Sequence, residues 1–95
     1  MKVLAIEKIS GVRDDRFTPH LKAEALRVWD LYKAGVIREI YFHADRHVAV
    51  LVLECRDADE ARKALATLPL AKEGLIDFEI IPLAPYPGFE RLFAK

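Results

Sequence analysis

Residues 48–53 read Val48-Ala49-Val50-Leu51-Val52-Leu53, six consecutive apolar positions held between His47 and Glu54. Side chains on a strand alternate between its two faces, so a strand of this make-up needs an apolar cover on both. An antiparallel strand with one wet face alternates polar with apolar residues, and this run does not. It predicts a central strand with something packed above it and something packed below it.

The flanking sequence supplies the neighbours. On the N-terminal side, residues 36–43 are rich in branched and aromatic side chains, and Ala44-Asp45-Arg46 is short enough to make a hairpin with the apolar strand. Before it, Thr18 is placed to cap a helix with Pro19 in its first turn. Leu21, Ala25, Val28, Trp29 and Tyr32 fall on one face of that helix, and Gly35 is a natural stop. Residues 2–9 form a first strand, and residues 10–17 a polar connection. On the C-terminal side, Asp57 with Glu60 opens a second helix with a buried stripe of Ala61, Ala64, Leu65 and Leu68, ended by Pro69. Residues 75–83 make the last strand, where Pro82 suits an edge position.

The order is strand, helix, strand, strand, helix, strand. Right-handed crossovers place both helices on the same side of one four-stranded antiparallel sheet, the split arrangement of a ferredoxin-like α+β fold, in which the third strand is central. Two helices cover one face only. The second cover is expected from the same face of a second copy, so a homodimer with sheets packed face to face is predicted. Residues 1–84 form the domain, and residues 85–95 a tail beginning with Pro85, Pro87 and Gly88. In the tail, Phe89, Leu92 and Phe93 form a small apolar face expected to dock on the domain or on the partner subunit.

Composition narrows the function classes. Ninety-five residues make one domain. Fifteen basic residues balance fifteen acidic ones, so the basic stripe of a nucleic-acid binder is missing. The longest apolar stretch falls well short of the roughly 20 residues that span a bilayer, and the N-terminus is too soon charged for a signal peptide. A soluble, cytoplasmic protein with no membrane partner is expected. The single cysteine, Cys55, excludes an internal disulfide and is expected to pack at a strand end. The chain has no Gly-rich phosphate loop, nucleophile elbow or Cys-His metal motif, and no cofactor or metal is expected.

In its details the chain resembles the muconolactone isomerase-like family of the dimeric α+β barrel superfamily. Ala34-Gly35 opening a strand, Leu68-Pro69-Leu70 closing the second helix, and Asp77-Phe78-Glu79-Ile80-Ile81-Pro82-Leu83 before a Pro-rich tail carry the likeness. The resemblance implies a βαββαβ subunit, dimers that build a barrel from two sheets, larger assemblies of dimers, and pockets beside the sheet. In the strand after Ala34-Gly35, only Arg38 matches that family's pattern.

Moving a proton next to a lactone carbonyl needs a base, an acid and a cation to hold a carboxylate. Glu39, Tyr41 and His43 are suitable catalytic types and share one face of their strand, with Arg38 on the other as a candidate ligand-binding cation. The plainer reading of Arg38 and Glu39 is a solvated edge or an ion pair across the dimer. Trp29 and Tyr32 are candidates to stack on a planar ligand, against a plainer role as core. Glu7 follows Val3 and Ala5 on one face of a central strand; a buried carboxylate there must find a partner or take up a proton, and facing a pocket it is a candidate base. His43 and His47 flank the hairpin, where a wet turn is the plainer reading, and His20 reads as a surface residue. These residues point to a cofactor-free isomerase acting on a small lactone or cyclic acid. The alternatives are a non-catalytic ligand-binding or structural dimeric module and a cofactor-free small-molecule monooxygenase.

Overall fold

The apolar run forms the middle of the sheet in the computed structural model, which describes residues 1–8 and 15–94. Strand β3 (Ala49–Glu54) pairs antiparallel with β1 (Lys2–Glu7) on one side and β2 (Ile37–Phe42) on the other, and β4 (Phe78–Pro82) adds to the far side of β1. The resulting order, β2-β3-β1-β4, is the ferredoxin-like α+β arrangement that the element order predicts. Ile9 and residues 10–14 of the expected connection over residues 10–17 lie outside the described residues.

Alternation sorts the sheet into two faces. Val3, Ala5, Leu51, Leu53, Ile37 and Phe78 point inward and are buried beneath the helices. Leu4, Ile6, Val50, Val52 and Ile81 point outward and remain half-covered by their neighbours alone. The strand that lacks alternation in sequence therefore has one face in the core and one apolar face uncovered in the single chain. This chain exposes 6935 Å², against about 5,500 Å² for a compact monomer of its 10.8 kDa mass. Part of the excess lies in the tail, where Tyr86, Phe89, Leu92 and Phe93 are all at least 66% exposed.

Helix α1 (Leu21–Lys33) is entered through a 3₁₀ turn, Thr18–His20, that holds Pro19. Thr18 lies inside that turn, and the residue at the cap of α1 is His20, with no side-chain capping bond, so the expected cap is not formed. The buried face of α1 also differs from the expected one. Leu31 is buried and Val28 packs against the core, whereas Trp29 is 53% and Tyr32 49% exposed. The helix is turned because its inward stripe includes two polar residues with partners. Glu24 accepts a bond from the Leu70 amide at 2.9 Å, and Arg27 Nε donates to Thr67 Oγ1 at 2.9 Å. Counting apolar residues alone places the stripe a fraction of a turn away, on Trp29 and Tyr32.

Gly35 stops α1 with a left-handed φ of 81°, while Val36 N bonds to Leu31 O and Gly35 N to Tyr32 O, the paired bonds of a Schellman end. Helix α2 (Ala58–Leu65) opens on Asp57, whose carboxylate accepts from Glu60 N at 2.8 Å. Ala61, Leu65 and Leu68 are buried as expected. Pro69 does not simply end the segment: it begins a third, four-residue helix α3 (Pro69–Lys72), because proline needs no amide partner in a first turn. The tail closes in a second 3₁₀ turn, Gly88–Leu92.

One irregularity bears on the site. Ile37 opposes Leu53 and Glu39 opposes Val52, so Arg38 is an extra residue in β2. This bulge lets Ile37 and Ile40 both face the helices. Simple alternation, which puts Arg38 beside Ile40 and Phe42, fails at that point.

Candidate functional site

Between the inner face of the sheet and the helices lies a half-open cavity of about 320 Å³. That is a size suited to a small ring compound. Phe17, Leu21 and Val28 form its helical wall, Ile40, Phe42, Leu51 and Phe78 its sheet wall, and Leu68 and Leu70 its end. Into this apolar lining project two carboxylates, Glu7 and Glu24, and one imidazole, His47.

Each polar residue is placed by the local fold. Glu7 is the last residue of β1 and lies on the inward face set by Val3 and Ala5. The β1–β3 pairing ends at Ile6 opposite Val50, and Glu7 Oε1 accepts the next amide, Ala49 N, at 3.0 Å. The carboxylate thus replaces a ladder bond at the point where the strands part. Glu24 sits on α1 one turn before Val28, and its Oε1 holds the Leu70 amide in the first turn of α3. His47 enters from the hairpin and stacks on Phe42 at 4.2 Å between ring centroids.

Electrostatics separates Glu24 from an ordinary surface carboxylate. Burial pushes its carboxyl above the usual range; the Leu70 amide opposes that, the charge of Glu7 adds to the rise, and His20 opposes it. A carboxyl that holds its proton more tightly than usual is better suited to act as a general acid, and a second carboxylate facing the same space is a suitable base.

The sequence-derived candidates divide between two places. Glu7 faces the cavity. Arg38, Glu39, Tyr41, Trp29 and Tyr32 line a more open groove of about 450 Å³ where α1 meets the edge strand β2. There Trp29 and Tyr32 stack at 5.8 Å, Tyr41 donates to Glu39 at 2.8 Å, and Arg38 Nε donates to Gly35 O at 2.8 Å. The hydrogen bond to Glu39 raises the Tyr41 hydroxyl above its ordinary range. His43 stays at the hairpin, accepting from Asp45 N at 3.0 Å. The structure brings these groups to the groove or the turn and not to Glu7. Of the polar residues of the cavity, Glu24 escaped the sequence reading, and His47, read there as part of a wet turn, lines the cavity. The available signal for Glu24 was its spacing with Val28 and Leu31, a carboxylate in line with two inward apolar positions.

Among the described residues no group of three His, Cys, Asp or Glu side chains is placed to hold a metal, and no helix is long and apolar enough to cross a membrane.

Comparison with known proteins agrees with this architecture. The model of the muconolactone delta-isomerase family matches residues 5–88. A crystal structure of muconolactone isomerase superposes with a TM-score of 0.73 over 92% of this chain and 92% of that chain. Their sequences are 18% identical, so this second likeness is one of fold. No curated protein matches the chain in sequence.

Proposed function

This chain belongs to the muconolactone delta-isomerase family, and from that premise we propose that it is a cofactor-free isomerase that moves a proton within a small lactone or related cyclic acid. The observation that carries the reading is the pair Glu7 and Glu24 facing one small apolar cavity, with burial favouring the protonated form of Glu24. The Glu7 carboxylate takes the proton from the ring carbon that the double bond conjugates with the carbonyl. The electron pair released moves onto the carbonyl oxygen, where the Glu24 O–H donates a hydrogen bond. Glu7 then returns the proton at the other end of the conjugated system, so the ring double bond shifts and nothing is gained or lost. Acid–base assistance of this type is worth about 10²–10⁴ in rate.

The working unit in this reading is a soluble homodimer. Its support is the uncovered apolar face formed by Leu4, Ile6, Val50, Val52 and Ile81, together with the exposed Phe89, Leu92 and Phe93 of the tail, which the partner subunit would cover.

The test is proton exchange. Muconolactone and simple butenolides are incubated with the protein in D₂O and followed by NMR. Deuterium is expected at the ring carbon beside the carbonyl, with the rate reduced at least about a hundredfold in both Glu7→Gln and Glu24→Gln. Exchange no faster than in buffer, or exchange at the wild-type rate in both variants, refutes the isomerase reading.

A further inference from the structure

We propose that the tail of one copy docks in the groove between α1 and β2 of its partner, laying Phe89, Leu92 and Phe93 over Trp29 and Tyr32. This rests on the homodimer reading and adds to it the place where each tail goes.

The tail is shaped before it meets a partner. Pro85 and Pro87 stiffen its start, and Gly88 lies so close to the Tyr86 ring that a Cβ there would overlap it. Tyr86 in turn meets Phe89 edge-on, with 5.1 Å between ring centroids. The 3₁₀ turn that follows presents Phe89, Leu92 and Phe93 at 66–82% exposure. A segment ordered by its own contacts, yet apolar on its open side, loses little freedom on docking.

The groove matches it in chemistry. Trp29 and Tyr32, stacked at 5.8 Å, are half-exposed, and Tyr41 is exposed beside them, so phenylalanine rings find edge and face partners there. The charges are complementary too. Arg38 and Glu39 stand side by side in the groove, and Glu90 and Arg91 stand side by side between the apolar residues of the tail. Among the described residues none of these four makes an ion pair within its own chain. Opposite charges of this kind fix the register of a contact more than its strength.

Topology brings the two together. The tail leaves from β4 and the groove runs along β2, the opposite margins of the sheet. With sheets packed face to face about a two-fold axis along the strands, the β4 margin of one copy lies over the β2 margin of the other. The groove of the same chain is three strands away, about 14 Å across the sheet. Two tails, each bringing about 400 Å² to a groove that loses as much, bury about 1,600 Å² in all, the size of a stable interface.

Trp29 is the only tryptophan of the chain, so its fluorescence reports the groove alone. A nitroxide, which quenches tryptophan on contact, is attached at Ala94→Cys, leaving the three apolar side chains of the tail in place. Cys55 is buried and its thiol is pushed up by desolvation, so it stays unlabelled. Labelled chains that also carry Trp29→Phe are mixed with wild-type chains, and sedimentation gives the state of association. Quenching of the wild-type tryptophan is expected in the mixed dimers and should vanish on dilution to monomers. In an unlabelled chain, Phe89→Ser with Phe93→Ser should raise the dimer Kd about a hundredfold or more. Mixed dimers without quenching, or an unchanged Kd, overturn the inference and leave the dimer standing. Quenching that persists at monomer dilution, in a chain carrying both Trp29 and the label, overturns it as well, since the tail then sits on its own groove. Wild-type chains that never associate remove both the inference and the reading on which it rests.

Discussion

Replacing Val50 with lysine tests the proposed assembly through the middle of the uncovered face. Val50 lies on β3 opposite Ile6 of β1 and Tyr41 of β2, and is half-covered in the single chain. In a monomer the new side chain reaches water, and the change should cost under about 1 kcal/mol. In a face-to-face dimer the accounting is different. Full burial of valine is worth about 1.5–3 kcal/mol, and because half is already covered, each copy forfeits about 1 kcal/mol. Each copy also brings an ammonium into an apolar interface, at several kcal/mol less what the flexible stem recovers by reaching the rim. Summed over two copies the loss is about 5 kcal/mol or more, a rise in dimer Kd of three to four orders of magnitude. Sedimentation equilibrium over a hundredfold range of protein concentration reads this directly. Wild type should run at twice the 10.8 kDa chain mass or a multiple of it, and Val50→Lys at the chain mass over most of the range. The melting temperature of the wild type alone should rise with concentration. A Val50→Lys protein of unchanged mass and stability would refute the placement of the interface, and a monomeric wild type would refute the dimer.

Two further outcomes follow from the packing and the charges. Leu53→Ala removes a fully buried side chain from the central strand, between Val3 and Ile37; urea unfolding should show a loss of about 2–5 kcal/mol, and a loss below 1 would contradict its place in the core. Glu24→Gln keeps an acceptor for the Leu70 amide and removes the buried charge. Because burial raises the Glu24 carboxyl above its ordinary value of 4.5, the folded chain binds that proton more tightly than the unfolded chain. Ionised Glu24 therefore weakens the fold above its raised pKa, and the penalty fades as pH falls through that pKa toward 4.5. Glu24→Gln should melt higher than wild type at pH 7.5 and the gap should close near pH 4.5; a variant destabilised at pH 7.5 would overturn this account of Glu24.

Much of the architecture was legible because it depends on pattern. The unalternating run 48–53, the short hairpin connection and Asp57 with Glu60 each carry a local rule, and the observed sheet order and helix cap obey them. Family likeness was legible for a related reason: Leu68-Pro69-Leu70 and the Pro-rich end mark junctions where backbone geometry constrains residue choice. The site was legible only at Glu7, where a carboxylate on the inward face of a central strand has few ways to be satisfied. Glu24 was missed because its partner, the Leu70 amide, is 46 residues away and cannot be seen in a helical count. The same blindness misplaced Trp29 and Tyr32. The bulge at Arg38 was equally hidden, since an extra residue in one strand is defined by its register with another.

The two outer strands of the sheet also constrain how copies of this chain can meet. A free strand edge invites another edge, and edge-to-edge growth has no natural end. Here β2 carries a bulge that interrupts its ladder and twists it, with Arg38 and Glu39 beside the break. On the far side, β4 ends in Pro82 opposite Val3, a position that offers no amide to a newcomer. Hydrogen-bonded extension is blunted at both margins, while the outward apolar face stays open. A face that pairs with its own copy is used up in the pairing, so self-association is steered toward a closed, countable particle and away from an open-ended fibre.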